Sequence, residues 1–285
     1  MAVASRVTMR SMRPRSGHFV AAMLLVACGG GAAATQLPKA PPQAPPEVGA
    51  SPEAGPPAEA AAAVEAAPPP VTTESCTADA AWLAGGTFKT ASEGKTVTVQ
   101  PFCLDRTEVT ADAYAACVRA GQCTADHLTE APLQIHEARY CNYGARGRGK
   151  HPINCVDWNE SATYCRAQGK RLPTQEEWEW AARGGSEGRP FPWGNQPPRL
   201  GCTILESGAA TCPAGSNSQD VAPGGIHDLA GNVSEWTQSA YGSDRIHRGG
   251  DWGVTNPAIL ALTIAEGDHA APEHRDGLVG FRCAR

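Results

Sequence analysis

The chain has 285 residues, with 24 basic and 29 acidic side chains and a formal net charge of −5. That length accommodates one large or two small domains. The acidic balance excludes nucleic acid and an anionic membrane surface as partners, because both require a basic face, and it is compatible with binding cations.

Arg6, Arg10, Arg13 and Arg15 precede an apolar run of nine residues from Phe19 to Ala27. Such a run is too short to cross a hydrocarbon core of about 30 Å as a helix, so it reads as an export signal. It closes on Leu25-Val26-Ala27-Cys28, which resembles the lipobox of bacterial lipoproteins. The resemblance implies that Cys28 is diacylated and becomes the mature N-terminus. With Gly29 next rather than an aspartate, it also implies an outer-membrane or cell-surface address. An ordinary cleaved signal with an unmodified cysteine is the alternative. Without residues 1–28 the chain carries 20 basic against 29 acidic side chains, a formal charge of −9.

Residues 29–74 are rich in Ala, Pro, Gly and Glu, contain no aromatic residue, and have few branched apolar side chains beyond Leu37, Val48, Val64 and Val71. A segment of this composition buries too little apolar surface to offset its ordering entropy and reads as an extended tether. The folded part spans 75–285, with no second break in composition. It holds ten cysteines: Cys76, Cys103, Cys117, Cys123, Cys141, Cys155, Cys165, Cys202, Cys212 and Cys283. An even number in an exported chain predicts five disulfides, and none has the C-x-x-C spacing of a zinc site.

Along this part, Ala84–Phe88 and Lys95–Val99 read as strands around a turn at Ser92-Glu93-Gly94, and Pro101–Leu104 opens a third. Thr110 caps a helix with Tyr114, Cys117 and Val118 on one stripe and Gly121 at its end. A disulfide from Cys117 to Cys123 would pin that end. Asp157 and Glu160 form a capping box opening a second helix, with Trp158, Ala162 and Cys165 on one face and Gly169 ending it. Thr174 and Glu177 form another, opening a helix at about Gln175 that carries Trp178, Ala181 and Ala182 and ends at Gly184. So few residues separate these two helices that they should meet at a tight corner.

The string Gly169–Gly185, GKRLPTQEEWEWAARGG, resembles the signature of the formylglycine-generating-enzyme-like (sulfatase-modifying factor) family. Further matches follow in order: FCLDRTEVT near the start, Pro192-Trp193-Gly194-Asn195, GIHDLAGNVSEWT from Gly225 to Thr237, Arg248-Gly249-Gly250, and Gly280-Phe281-Arg282-Cys283-Ala284. The resemblance covers essentially all of the folded part. It implies an α+β, loop-rich fold related to C-type lectins, with few short helices and strands, stapled by disulfides. The GFRCA context assigns Cys283 to a disulfide with Cys165. Cys202 to Cys212 encloses a polar loop, and Cys141–Cys155 and Cys76–Cys103 follow by elimination, although ten cysteines leave many connectivities open.

For chemistry, the resemblance places a structural calcium on Asp228, the carbonyls of Gly231 and Val233, and Glu235. Hard oxygen donors on a glycine-containing turn suit that ion. Pairing of these acids with Arg245 or Arg248 is the alternative. The family's second calcium loop is rewritten here as Leu200–Cys212 and is not carried over. The family's oxidases bind copper(I) through two cysteines shortly after the RGG motif, where this chain has Val254 and Ile259. Aliphatic side chains cannot hold copper(I), so no catalytic residue is assigned. His269, Glu273 and His274 are the only set that suggests iron, as in the related sulfoxide synthases, although the N-terminal helical domain of those enzymes is replaced here by the tether. No P-loop or dinucleotide fingerprint is present. Three functions remain. One is a lipid-anchored surface module binding a protein, peptide or glycan through loop residues such as Tyr140, Tyr143, Arg146, Arg148 and Tyr241. The others are a formylglycine-generating-type oxidoreductase with an altered site, and a structural subunit of an envelope assembly.

Overall fold

The structure, a computed structural model, describes residues 71–128, 140–196, 202, 210–254 and 256–285. The expected signal segment 1–28 with Cys28, and the expected tether through residue 70, lie outside the described residues. Thr73–Ser75 makes one 3-10 turn.

Strand β1 (Ala80–Leu83) pairs antiparallel with β4 (Phe102–Asp105), and β2 (Gly86–Lys89) pairs with β3 (Thr96–Val99). The β2–β3 hairpin sits where the sequence places it. Strand β1 was not anticipated, because its Ala-Ala-Trp-Leu run is too short to show alternation and is defined by its partner. After β4, α1 (Ala111–Arg119) is capped by Thr110, whose hydroxyl accepts from Ala113 N at 3.2 Å. Helices α2 (Trp158–Ala167) and α3 (Gln175–Ala182) both open on complete capping boxes, from Asp157 with Glu160 and from Thr174 with Glu177. Gly169 and Gly184 follow them in the left-handed region, at φ +66° and +67°.

These two helices serve different cores rather than one shared corner. Helix α3 places Trp178, Trp180, Ala181 and Ala182 in a cluster with Phe88, Phe102, Leu104, Ile226 and Leu229. Helix α2 places Ala162, Tyr164 and Cys165 in a second cluster with Tyr114, Ile153, Trp236 and Phe281. Tyr114 stacks on Tyr164 at 5.6 Å, and Phe281 meets Tyr164 edge-on at 5.5 Å. The C-terminal segment joins the clusters, with Phe281 in one and Ala284 in the other. It is held by main-chain bonds from Asp105 N to Cys283 O and from Arg171 N to Ala284 O.

The short pair β5 (Val221–Ala222) and β6 (Ile226–His227) leads into the largest sheet. That sheet has the order β10-β7-β8-β9, built from β7 (Ser234–Tyr241), β8 (Asp244–Arg248), β9 (Asp268–Ala270) and β10 (Val279–Gly280). Its β7–β8 hairpin is antiparallel with a bulge between Trp236 and Ala240, whereas β10 runs parallel to β7. The first half of β7, Ser234 to Thr237, is buried on both faces, and its second half reaches solvent. Helix α4 (Pro257–Ala265) lies between β8 and β9 in the chain and buries Leu260 and Ile264 in the first cluster.

All ten cysteines of the folded part are paired: Cys76–Cys103, Cys117–Cys123, Cys141–Cys155, Cys165–Cys283 and Cys202–Cys212. This is the chemistry of an extracellular or exported domain. Among the described residues, no helix is long and apolar enough to cross a membrane.

Candidate functional site

The GIHDLAGNVSEWT segment turns sharply between β6 and β7, with Asp228 at φ +60° and Asn232 at φ +70°. Short polar side chains tolerate this region best. The turn carries Asp228 inward and delivers Glu235 onto the doubly buried half of β7.

Glu235 does not behave as a free metal ligand. Arg282 clamps it with two bonds, Nε to Oε2 at 2.8 Å and Nη2 to Oε1 at 2.7 Å, and Trp178 Nε1 donates to Oε2 at 2.9 Å. Arg282 has no solvent exposure and also donates to the carbonyls of Asp105 and His227. The expected alternative partners are engaged elsewhere. Although Arg248 lies opposite Glu235 in the β7–β8 register, it pairs with Glu179 at 3.1 Å, and Arg245 lies over the Trp158 ring at 4.1 Å.

Asp228 instead meets two acids that sequence reasoning missed, Glu108 and Asp220, all three about 2% exposed. Asp228 Oδ2 accepts from Gly215 N, and the Glu108 carboxyl lies near enough to feel its charge. Glu108 Oε1 accepts from Asn232 Nδ2 at 2.9 Å, and Asp220 Oδ2 from Ala230 N at 2.7 Å. The second oxygens, Glu108 Oε2 and Asp220 Oδ1, are buried with no partner. Burial first, and the neighbouring Asp228 second, hold Glu108 well above the usual carboxylate range and push Asp220 up to about 7. Burial also raises Asp228. Three desolvated carboxyl groups with two orphaned oxygens form a hard, oxygen-rich environment short of positive charge, which is what a calcium ion neutralises. Among the described residues no three His, Cys, Asp or Glu side chains converge to hold a metal. Two of these carboxylates would therefore need main-chain oxygens and water to complete a shell. The only sequence signal for Glu108 was an acid inside the strand-like FCLDRTEVT, which gives no hint of a partner 120 residues away.

Of the two residues that the resemblance puts near the family's copper cysteines, Val254 packs against the first core cluster and Ile259 stands 47% exposed on α4. Every described cysteine is in a disulfide, so no thiolate faces them. His269, Glu273 and His274 do not form one set. His269 Nδ1 pairs with Asp244 Oδ2 at 2.8 Å while its ring stacks on Tyr241, His274 lies 3.7 Å from Asp276, and Glu273 is exposed. Of the loop residues, Tyr140 packs on Trp252 at 4.8 Å, Tyr143 meets Tyr114 edge-on, and Arg148 donates to Asn142. Arg146 and Tyr241 remain exposed.

This fold, with its buried acid turn and the Glu235–Arg282 clamp, defines a loop-rich α+β domain of the formylglycine-generating-enzyme type. A family model described as the sulfatase-modifying factor enzyme 1-like domain matches residues 65–285, and the chain belongs to that FGE-sulfatase family. It is 38% identical over 165 residues to the inactive C-alpha-formylglycine-generating enzyme 2 of Bos taurus, covering 50% of this chain and 52% of that one. It is 30% identical over 251 residues to the formylglycine-generating enzyme of Streptomyces coelicolor, covering 66% and 79%. The chain spans about half the length of the mammalian relatives it matches. Among solved structures it resembles PvdO from Pseudomonas aeruginosa, with a TM-score of 0.57 and 26% identity over 72% of this chain and 92% of that one. It also resembles CarF, with a TM-score of 0.56 and 21% identity over 73% and 97%.

Proposed function

We propose that this chain is an exported, lipid-anchored FGE-sulfatase-type domain that has lost copper-dependent cysteine oxidation and acts as a binding module on the cell envelope. The observation that carries this reading is that the stretch from Asp251 to Gly267, where the resemblance puts the copper cysteines roughly at Val254 and Ile259, contains no cysteine, and every described cysteine is in a disulfide. Copper(I) needs thiolates, and among the described residues none is available. Similarity to an enzyme whose name marks it inactive supports the same view. Anchoring through Cys28 and an outer-membrane or surface address are part of the proposal and rest on the lipobox. The test incubates the domain with a cysteine peptide, copper and oxygen, and follows the peptide by mass spectrometry. No conversion of cysteine to aldehyde is expected, and enzyme-dependent aldehyde would restore the oxidoreductase reading.

The module is further proposed to hold a structural calcium. Asp228 and Glu108 would supply the carboxylates and the carbonyls of Gly231 and Val233 further oxygens, whereas Glu235 orders the turn through Arg282 rather than ligating. The support is the pair of orphaned oxygens and the raised acids around Asp228. Calcium bound only to the native state stabilises it by linkage, so chelation should lower the melting temperature. Asp228→Ala should remove that sensitivity. A wild-type domain indifferent to chelator would exclude the site.

A further inference from the structure

Beside His247 of β8 and Val279 of β10 lies a cavity of about 370 Å³ whose lining includes none of Glu108, Asp228, Val254 and Ile259. Its ionisable lining is one-sided. Asp251, Glu266, Asp268 and Asp276 face it, and among the described residues no lysine or arginine does. Three histidines share the lining. Burial pushes His247 down to about 4, leaving it neutral; His269 pairs with Asp244, which is not part of the lining, and His274 Nε2 lies 3.7 Å from Asp276, which leaves Asp251, Glu266 and Asp268 without a histidine partner.

His247 gives the cavity an acceptor as well. The Ser234 hydroxyl donates to Arg248 O at 3.1 Å, so its oxygen is left to receive Nδ1–H of His247, 2.7 Å away. The tautomer is thereby assigned: Nδ1 carries the proton and Nε2 presents a lone pair. The ring is fixed edge-to-face on Trp236 at 5.2 Å, and no described residue donates to Nε2. The acceptors offered include carboxylate oxygens and an imidazole lone pair. Asp251 is further raised to about 6, by burial first and then by Asp276 opposite, as expected where acids are crowded without a counter-charge. Leu278 and Val279 form an apolar wall beside them.

A ligand matching this surface carries a positive charge, several N–H donors and an aliphatic stem. We propose that the cavity bounded by Asp251, Asp276, Asp268 and His247 binds a primary alkylammonium group, either of a free diamine or of a lysine side chain. The ammonium lies among the carboxylates, donating one hydrogen to His247 Nε2, and its methylenes lie along Leu278 and Val279. The inference rests on the reading of the domain as a binding module and names the ligand class of that module.

The test is calorimetric titration of the folded domain at low ionic strength with cadaverine, with Nα-acetyl-lysine methylamide, with its Nε-acetylated form, and with pentane-1,5-diol. One-to-one binding of an ammonium probe is expected, with a dissociation constant of about 1 mM or tighter that weakens with salt, and no binding of the acetylated or diol probes. Cadaverine alone binding assigns a free diamine, and binding of the lysine amide assigns a side chain. Asp251→Asn and Asp276→Asn keep the shape and should each weaken binding about tenfold. If either fails to fold, Asp268→Asn with Glu266→Gln replaces it at exposed positions. No ammonium binding by the folded protein, equal binding by the diol, or affinity unchanged in folded variants would overturn the proposal. The peptide oxidation assay on the same sample separates the two readings. Aldehyde formation overturns the module, whereas silence in both assays overturns only the alkylammonium site.

Discussion

Arg282 shows how much one buried charge organises here. Its guanidinium has no exposure, holds both oxygens of Glu235 and caps two carbonyls at the ends of β4 and β6. Removing one partner of such a pair leaves the other charge buried and uncompensated, at a cost of about 3–5 kcal/mol. Arg282→Met should therefore lower unfolding free energy by that order in denaturant titrations. Replacing both residues, Arg282→Met with Glu235→Leu, should recover part of the loss. A single variant as stable as wild type would show that the clamp contributes nothing. The two residues stood out in the sequence only as members of separate motifs, 47 positions apart. Nothing local says that they touch, and the register-opposite Arg248 was the more natural guess.

At the level of elements, the RGG motif is explained by close packing at the end of β8. Gly249 sits at φ +90°, and a Cβ there would press on Leu229 O and the Trp178 ring. A Cβ on Gly250 would collide with Ala230 O and with Leu260 of α4. Because a backbone carbonyl cannot swing away as a side-chain tip can, Gly250→Ala should cost about 3 kcal/mol, the upper part of the range for overpacking. Gly231→Ala meets no atom within 4 Å and should shift the melting temperature little. Equal effects in thermal melts would show that the glycines are not packing residues. The helices were the most legible elements, because a capping box is a contact between residues three apart and needs no knowledge of the rest of the chain. Strand β1 was not legible, because its pairing with β4 is made across more than twenty residues.

For the whole molecule, the disulfides tie distant parts of the chain. Cys165–Cys283 spans 118 residues and links α2 to the C-terminal segment that joins the two cores. In the chain-entropy model a closure of that length is worth about 5 kcal/mol, against about 2 kcal/mol for the six-residue closure of Cys117–Cys123. Cys165→Ser with Cys283→Ser should thus destabilise the domain more than Cys117→Ser with Cys123→Ser. Reversed order in parallel denaturant titrations would mean that native-state strain, not loop closure, dominates.

The sequence by itself determined whatever is governed by neighbours along the chain: the three helix starts, the left-handed glycines Gly121, Gly169 and Gly184 that end them, the β2–β3 hairpin and an even set of cysteines suited to export. Resemblance extended this to the fold. Only the tertiary structure decided that Glu235 answers to Arg282, that Glu108 and Asp220 join Asp228, and that Asp251 and Asp276 face one cavity with no described lysine or arginine in its lining. The physical reason is that capping and turn geometry depend on separations of a few residues, whereas the cost of a buried carboxyl group is set by whatever the fold brings beside it, from any distance along the chain.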